Sequence, residues 1–396
     1  MTSRWSILVL LFLVRTGMGF QFQAVPAMSP LFLSGFGVSL ADIGLLIGLY
    51  HAPGIVLAVP GGAIGQRFGD KRTVVVGLFL MVVGGLAMAF ATTWPVCVAG
   101  RLVAGIGGIL LNVLMSKMVT DWFAGRELAT AMGIFVNSWP FGIALALVTL
   151  PAIAKGADLA AALCVVTGLL VVAFLAMLAL YRSPGGQSTQ SVKAGVQGLP
   201  TGHALWAVLS AGCVWGFYNA SLAMIFGFGP LMLVERGWDI AAASSATSIV
   251  LWLVVLSVPL GGLLADRSGR PTTILFTGIV LFAALLLAAG RVDHVLFAFV
   301  ALGLVSGLPA GPIMSLPARV LAADTRAVGM GLFFTVFYVV QLSAPWMAGV
   351  LAKTRGTTWA AFDFGAALLA ICIMALIGFL RLASAWNRAQ EVPTAR

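Results

Sequence analysis

Gly61-Gly62-Ala63-Ile64-Gly65-Gln66-Arg67-Phe68-Gly69-Asp70-Lys71-Arg72 and Gly261-Gly262-Leu263-Leu264-Ala265-Asp266-Arg267-Ser268-Gly269-Arg270 are nearly the same phrase, 200 residues apart. Each is a short basic loop at the end of a long apolar run. The register holds beyond the loops. Pro30-Leu31 matches Pro230-Leu231, Leu33 matches Leu233, Gly37 matches Gly237, and Thr73 matches Thr273. Gly107 likewise matches Gly307, and Arg126 matches Arg326. Pro, Gly and Arg recurring at one fixed offset point to a duplicated chain. Between the copies, Arg182 to Gly202 is rich in Ser, Pro, Gly and Gln, the composition of a flexible linker. The expected organisation is an N-terminal six-helix bundle (1–181), a cytoplasmic linker (182–202), and a C-terminal six-helix bundle with a short tail (203–396).

Of 396 residues, 61% are hydrophobic and only 9% charged. That is too few charges to clothe a soluble domain, so the solvent is a bilayer. A spanning helix needs about 20 apolar residues. Twelve such runs are legible, near 5–27, 41–63, 73–93, 95–117, 127–150, 157–181, 203–229, 240–264, 272–290, 294–317, 327–351 and 358–382. The predicted fold is an all-α membrane protein of twelve transmembrane helices in two six-helix bundles. Six helices per half keep both copies in one orientation, so a pseudo-two-fold axis runs along the membrane normal. The first run resembles a signal peptide in having Arg4 before it and Ala24 and Ala27 after. Arg15 interrupts its core, however, and a matching helix opens the second half, so it is read as a permanent helix.

The net charge of +10 does not point to nucleic acid, because the basic residues are scattered in short loops. They set orientation instead. With the N-terminus inside, 15 Lys and Arg fall on the cytoplasmic side and 5 on the other, which predicts an inner-membrane protein with both termini cytoplasmic. Cys97, Cys164, Cys213 and Cys372 lie in or at the ends of apolar runs, without metal or redox spacing. There is no phosphate-cradling loop, zinc motif or nucleophile motif, so neither an enzyme nor a cofactor is expected.

The loop phrase has a physical logic. Paired glycines near a helix end allow close helix approach. Gly69 and Gly269 let the backbone turn sharply. An acid there can face a helix N-terminus, and Arg and Lys hold the loop on an anionic membrane surface. The phrase resembles the signature loop of the major facilitator superfamily: Gly, three residues, Asp-Arg, any residue, Gly, then basic residues. The second copy fits at Gly262, Asp266, Arg267, Gly269 and Arg270. The first, at Gly62, Gln66, Arg67, Gly69 and Asp70, has Gln66 in the place of the acid and Asp70 in the place of a base. Arg101, Gly105, Gly107 and Gly108 match the family's fourth-helix pattern. The resemblance implies alternating access, with loops that latch the two halves in one state; a plain topogenic loop is the other reading.

Two arginines and no lysine are placed inside the runs: Arg15 near the middle of the first and Arg101 about two turns into the fourth. The twelve acids all fall in loops or near run ends, Asp42 and Asp363 coming closest to the interior. A buried Arg costs about 2.5–3.5 kcal/mol on insertion scales, so the charge asks for a partner. A guanidinium pairs well with carboxylate or phosphate. Arg15 is therefore a substrate-contact candidate or a satisfied structural Arg, and Arg101 a gating, structural or substrate residue. This pair resembles the organic-anion symporter and cyanate-transporter-like branches of the superfamily.

Gln21, Tyr50, His51, Asn137, Trp215, Tyr218, Asn219, Tyr338 and Gln341 are further candidates for a binding cavity, with Asn112, Trp139 and Trp252 beside them. His51, read as mid-helix, could relay a proton or be a hydrogen-bonded core residue. Pro140 suggests a bend in the fifth helix. The expectation is a monomeric secondary transporter of a small anionic solute, with proton or sodium coupling open. A proton-coupled multidrug exporter and a non-transporting membrane sensor are the alternatives.

Overall fold

The structure, a computed structural model, describes residues 3–123, 128–182, 199–321 and 325–391. Arg126, most of the linker, the surroundings of Gly62 and the side chains of Gln66 and Asp266 lie outside the described set. Twelve segments are long and apolar enough to cross a bilayer. In the first half these are α1 (Arg4–Ala27), the broken span α3–α4–α5 (Leu40–Leu49, Ala52–Leu57, Gly61–Phe68), α6 (Asp70–Ala89), α7 (Trp94–Phe123), α8 (Leu128–Gly156) and α9 (Leu159–Leu180). A short α2 (Ser29–Phe36) extends the first span. The second half holds α10 (Gly202–Glu235), α11 (Ile240–Ser268), α12 (Pro271–Ala289), the pair α13 (Val295–Ser306) and α14 (Ala310–Met314), α15 (Arg326–Arg355) and α16 (Ala360–Glu391).

The described boundaries of α7, α10 and α16 lie beyond their apolar runs. Hydropathy marks where lipid ends, whereas backbone hydrogen bonding continues into water. The opposite departure occurs in the second span. Tyr50 and His51 do not sit mid-helix; they form the break between α3 and α4. Pro53 lacks an N–H, which weakens the helix at this point, and His51 N–H turns back to the Gly48 carbonyl at 2.9 Å. Gly307-Leu308-Pro309 breaks the tenth span in the same way. Pro140 and Pro151, by contrast, lie within a continuous α8.

The duplication is visible in the backbone. Gly37 and Gly237 both have positive φ (64° and 86°), as do Gly69 and Gly269 (88° and 61°). These are conformations that a side chain would strain. Ser39 caps α3 through a reciprocal bond pair with Asp42, and Asp239 stands at the matching place before α11, accepting from Ala241 N–H at 3.1 Å.

Glycines set the helix spacing. Within the first bundle α6 and α7 meet at Gly77 against Gly107 and Gly84 against Gly100. Across the bundles α3 meets α15, where Gly44 abuts the Pro345 carbonyl, Gly48 the Leu342 carbonyl, and Gly349 the Leu40 carbonyl. Exposed Val172, Val280, Phe297 and Met374 face outward on α9, α12, α13 and α16, as lipid contact requires.

The end carrying Gly69 and Gly269 is here called the signature face. The opposite face is sealed between bundles. Gln23 Nε2 donates to the Phe226 carbonyl at 2.8 Å, Ser244 Oγ to the Ala27 carbonyl at 3.3 Å, and Lys155 Nζ pairs with Asp239 at 2.8 Å. Among the described residues, the remaining inter-bundle hydrogen bond is Asn112 Nδ2 to Tyr338 Oη at 3.3 Å, deeper in the molecule. None joins described residues at the signature face.

Candidate binding site between the bundles

The two intramembrane arginines use the same local device. A proline inside a helix removes the N–H that would bond the carbonyl four residues earlier. Pro26 thus frees the Phe22 carbonyl in α1, and Arg101 Nη2 donates to it at 2.9 Å. Arg101 also reaches the Gln21 carbonyl (3.3 Å) and, through Nε, the Leu46 carbonyl (3.0 Å). Its guanidinium lies over the Phe22 and Tyr50 rings at 5.3 and 4.7 Å. Arg101 is 0% exposed and joins α7 to α1 and α3.

Pro140 frees the Val136 carbonyl in α8, and Arg15 Nη1 donates to it at 3.0 Å and to the Phe135 carbonyl at 3.1 Å. Nη2 donates to Asn112 Oδ1 at 3.1 Å, and the group lies 4.7 Å over the Phe135 ring. A guanidinium has five N–H groups. Three of Arg15's are committed, leaving Nε–H, buried and unpartnered, and one Nη2–H. Arg15 itself is only half-buried. Among the described residues no carboxylate pairs with either arginine.

Arg15 is joined to the second bundle. Asn112, its acceptor, donates in turn to Tyr338 Oη. Tyr338 packs so closely on Gly54 of α4 that any side chain there would strike its ring. His51 stacks on Tyr338 (6.0 Å, 28°) and meets Phe22 (5.0 Å) and Phe337 (6.2 Å). Trp139 lies 5.2 Å from Phe22, and Trp215 stacks on Phe337 (6.2 Å) and on Tyr218 (5.7 Å). Tyr50 in turn meets Phe22 (5.4 Å) and His51 (5.9 Å), so seven of the expected residues, Arg15, Tyr50, His51, Arg101, Trp215, Tyr218 and Tyr338, belong to one connected cluster.

The polar groups of these and of the remaining candidates differ in their partners. Gln21 Nε2 bonds the Met81 carbonyl within the first bundle. Tyr50 is buried against Gly105 and Gly108, its hydroxyl unpartnered. Tyr218 Oη donates to the Ser306 carbonyl (2.6 Å) at the end of α13. Asn219 Nδ2 bonds the Trp215 carbonyl of its own helix. Asn137 is half-buried and Gln341 buried. Two cavities of about 200 Å³ lie elsewhere, one beside Phe36, Met88 and Leu163, the other beside Gly262, Pro271 and Pro312. Phe22 and Phe337 connect the cluster, yet nothing in a hydropathy pattern separates them from lipid-facing phenylalanines.

At the signature loop the described contacts of the first copy stay within its own bundle. Asp70, at the start of α6, pairs with Lys117 of α7, which also binds Asp121 at 3.0 Å. Lys71 Nζ donates to the Leu178 and Tyr181 carbonyls at 2.9 and 2.7 Å. Arg67, Arg267 and Arg270 are exposed.

Two six-helix bundles that meet around a polar and aromatic centre, sealed at one face, define a membrane transporter of the two-bundle type. The chain belongs to the Major Facilitator Superfamily, whose model matches residues 7–246 and 217–394. It is 28% identical over 368 residues to the 3-(3-hydroxy-phenyl)propionate transporter of Escherichia coli, covering 88% of this chain and 87% of that one. It is 26% identical over 325 residues to the lysosomal dipeptide transporter MFSD1 of Danio rerio, covering 74% and 67%. The inward open structure of the E. coli xylose transporter XylE superposes with a TM-score of 0.77 at 14% identity, covering 94% of this chain and 96% of that one. The protein is thus a twelve-span transporter of small molecules and not an enzyme.

Proposed function

We propose that this protein moves a small organic anion across the bacterial inner membrane by alternating access, with Arg15 as the residue that receives the negative group. The supporting observation is the state of Arg15: half-buried, without a carboxylate partner among the described residues, and with two N–H groups uncommitted. Arg101 is fully buried and spent on carbonyls, so its role is structural. One similar protein is named for an aromatic carboxylate, 3-(3-hydroxy-phenyl)propionate. With both termini cytoplasmic and the chain acting as a monomer, the seal at the opposite face makes this the inward-facing arrangement. The signature loops then engage when the cytoplasmic side closes. A proton or a sodium ion is the coupling partner in this reading.

The test is thermal unfolding of the purified protein with small carboxylates. A ligand at 100 times its Kd adds about 2.7 kcal/mol of stability. Carboxylates should raise the midpoint for the natural sequence and not for Arg15→Gln. Equal stabilisation of both proteins by carboxylates would remove Arg15 from the site, and stabilisation by lipophilic cations alone would transfer the assignment to drug export.

A further inference from the structure

A chain of rings is tied to Arg15 through Asn112 and bears on which anion the site takes. Trp139, Phe22, His51, Tyr338, Phe337 and Trp215 form an unbroken chain of ring contacts 5.0 to 6.2 Å apart. The chain crosses from the first bundle to the second, starting on α8 and α1 and ending on α15 and α10. Its interior members, Phe22, His51 and Tyr338, are buried, whereas Trp139, Phe337 and Trp215 are half-buried. Arg15 is tied to the arc's midpoint through Asn112, by bonds of 3.1 and 3.3 Å.

Polar partners open to a ligand are scarce by comparison, since the unpartnered His51 Nδ1 and Tyr50 Oη are enclosed. Near the arc the half-buried amides are Asn112, Asn137 and Asn219. Asn112 is committed to Arg15 and Tyr338, and Asn219 Nδ2 to its own helix. A polyhydroxylated acid would lose its hydration here without enough replacement donors and acceptors, an unfavourable exchange. A planar ring finds the reverse, since aromatic faces and edges contribute beyond the area they cover.

We infer that the inter-bundle site takes an aromatic carboxylate, with the negative group at Arg15 and the ring against the Phe337–Trp215 end of the arc. This deepens, and rests on, the reading of Arg15 as the anion-receiving residue.

Calorimetric titration of the purified full-length protein tests it with phenylacetate, cyclohexylacetate, glucuronate and 2-phenylethanol. Phenylacetate should bind tightest. Phe337→Leu should weaken phenylacetate about three- to tenfold, the size of one aromatic pair, while cyclohexylacetate changes less than about twofold. Phe337→Tyr, which keeps the ring, should restore the preference, and Trp215→Leu should repeat the loss where Phe337→Leu misfolds. Cyclohexylacetate or glucuronate binding as well as phenylacetate would overturn the aromatic assignment and leave the anion reading intact. 2-Phenylethanol binding as tightly as phenylacetate, unaffected by Arg15→Gln, would overturn the anion reading itself. Binding of none of the acids would overturn both.

Discussion

Arg101 and Arg15 bond the same kind of acceptor and differ in what is left over. Arg101 sends three bonds to carbonyls on two elements, α1 and α3, and is enclosed by two rings. A lysine has one compact ammonium and cannot span them. Arg101→Lys should therefore cost about 2 kcal/mol of stability by thermal unfolding, the scale of an orphaned buried carbonyl. In that background Pro26→Ala supplies the missing N–H to Phe22 and should recover about 1 kcal/mol. A double-mutant cycle with no coupling would refute the proline-carbonyl account. The same relation holds for Gln23, whose amide meets the Phe226 carbonyl freed by Pro230. Both arginines were legible in the sequence as lone charges in apolar runs. The orphaned carbonyls were legible too, four residues before each proline. Which side chain answers which carbonyl was not, because that pairing joins residues about 80 to 200 positions apart in different helices.

At the scale of elements, glycine controls how near α3 and α15 come. A methyl at Gly44 would collide with the Pro345 carbonyl, which is backbone and cannot yield as a side-chain tip can. Gly44→Ala should push the bundles apart at the opposite face. Spin labels at exposed Ser34 and Lys353 would read this as a longer or broader distance distribution. An unchanged distribution would mean that the α3–α15 contact does not govern closure. All twelve spans could be placed from apolar run length. Their breaks at Tyr50-His51 and Gly307–Pro309 could not be, because hydropathy stays high across a break and only Pro53 and Pro309 hint at it.

For the whole molecule, the seal at the opposite face includes Lys155–Asp239, an exposed pair at the ends of α8 and α11. The hydrogen bond from Lys155 holds the Asp239 carboxyl below its ordinary 3.8. A lowered carboxyl contributes fully above its ordinary value and loses that contribution as pH falls through the lowered one. The Ser34–Lys353 label distance should therefore be flat from about pH 5 to 8 and lengthen only below the usual carboxylate range. A change near neutrality would assign the pH response to another group. Removal of the acid by Asp239→Asn should reproduce the low-pH distribution at neutral pH. The duplicated loops announced two bundles, but the described contacts of Asp70 and Lys71 lie within one of them. A repeat shows that two surfaces correspond; it does not show in which state they touch. The central claim, that this two-bundle protein carries an organic anion past Arg15, is tested most directly by counterflow in proteoliposomes loaded with unlabelled phenylacetate. External labelled phenylacetate should accumulate with the natural sequence and fail to do so with Arg15→Gln of equal thermal stability. Ligand binding without any flux, or undiminished flux through Arg15→Gln, would contradict it.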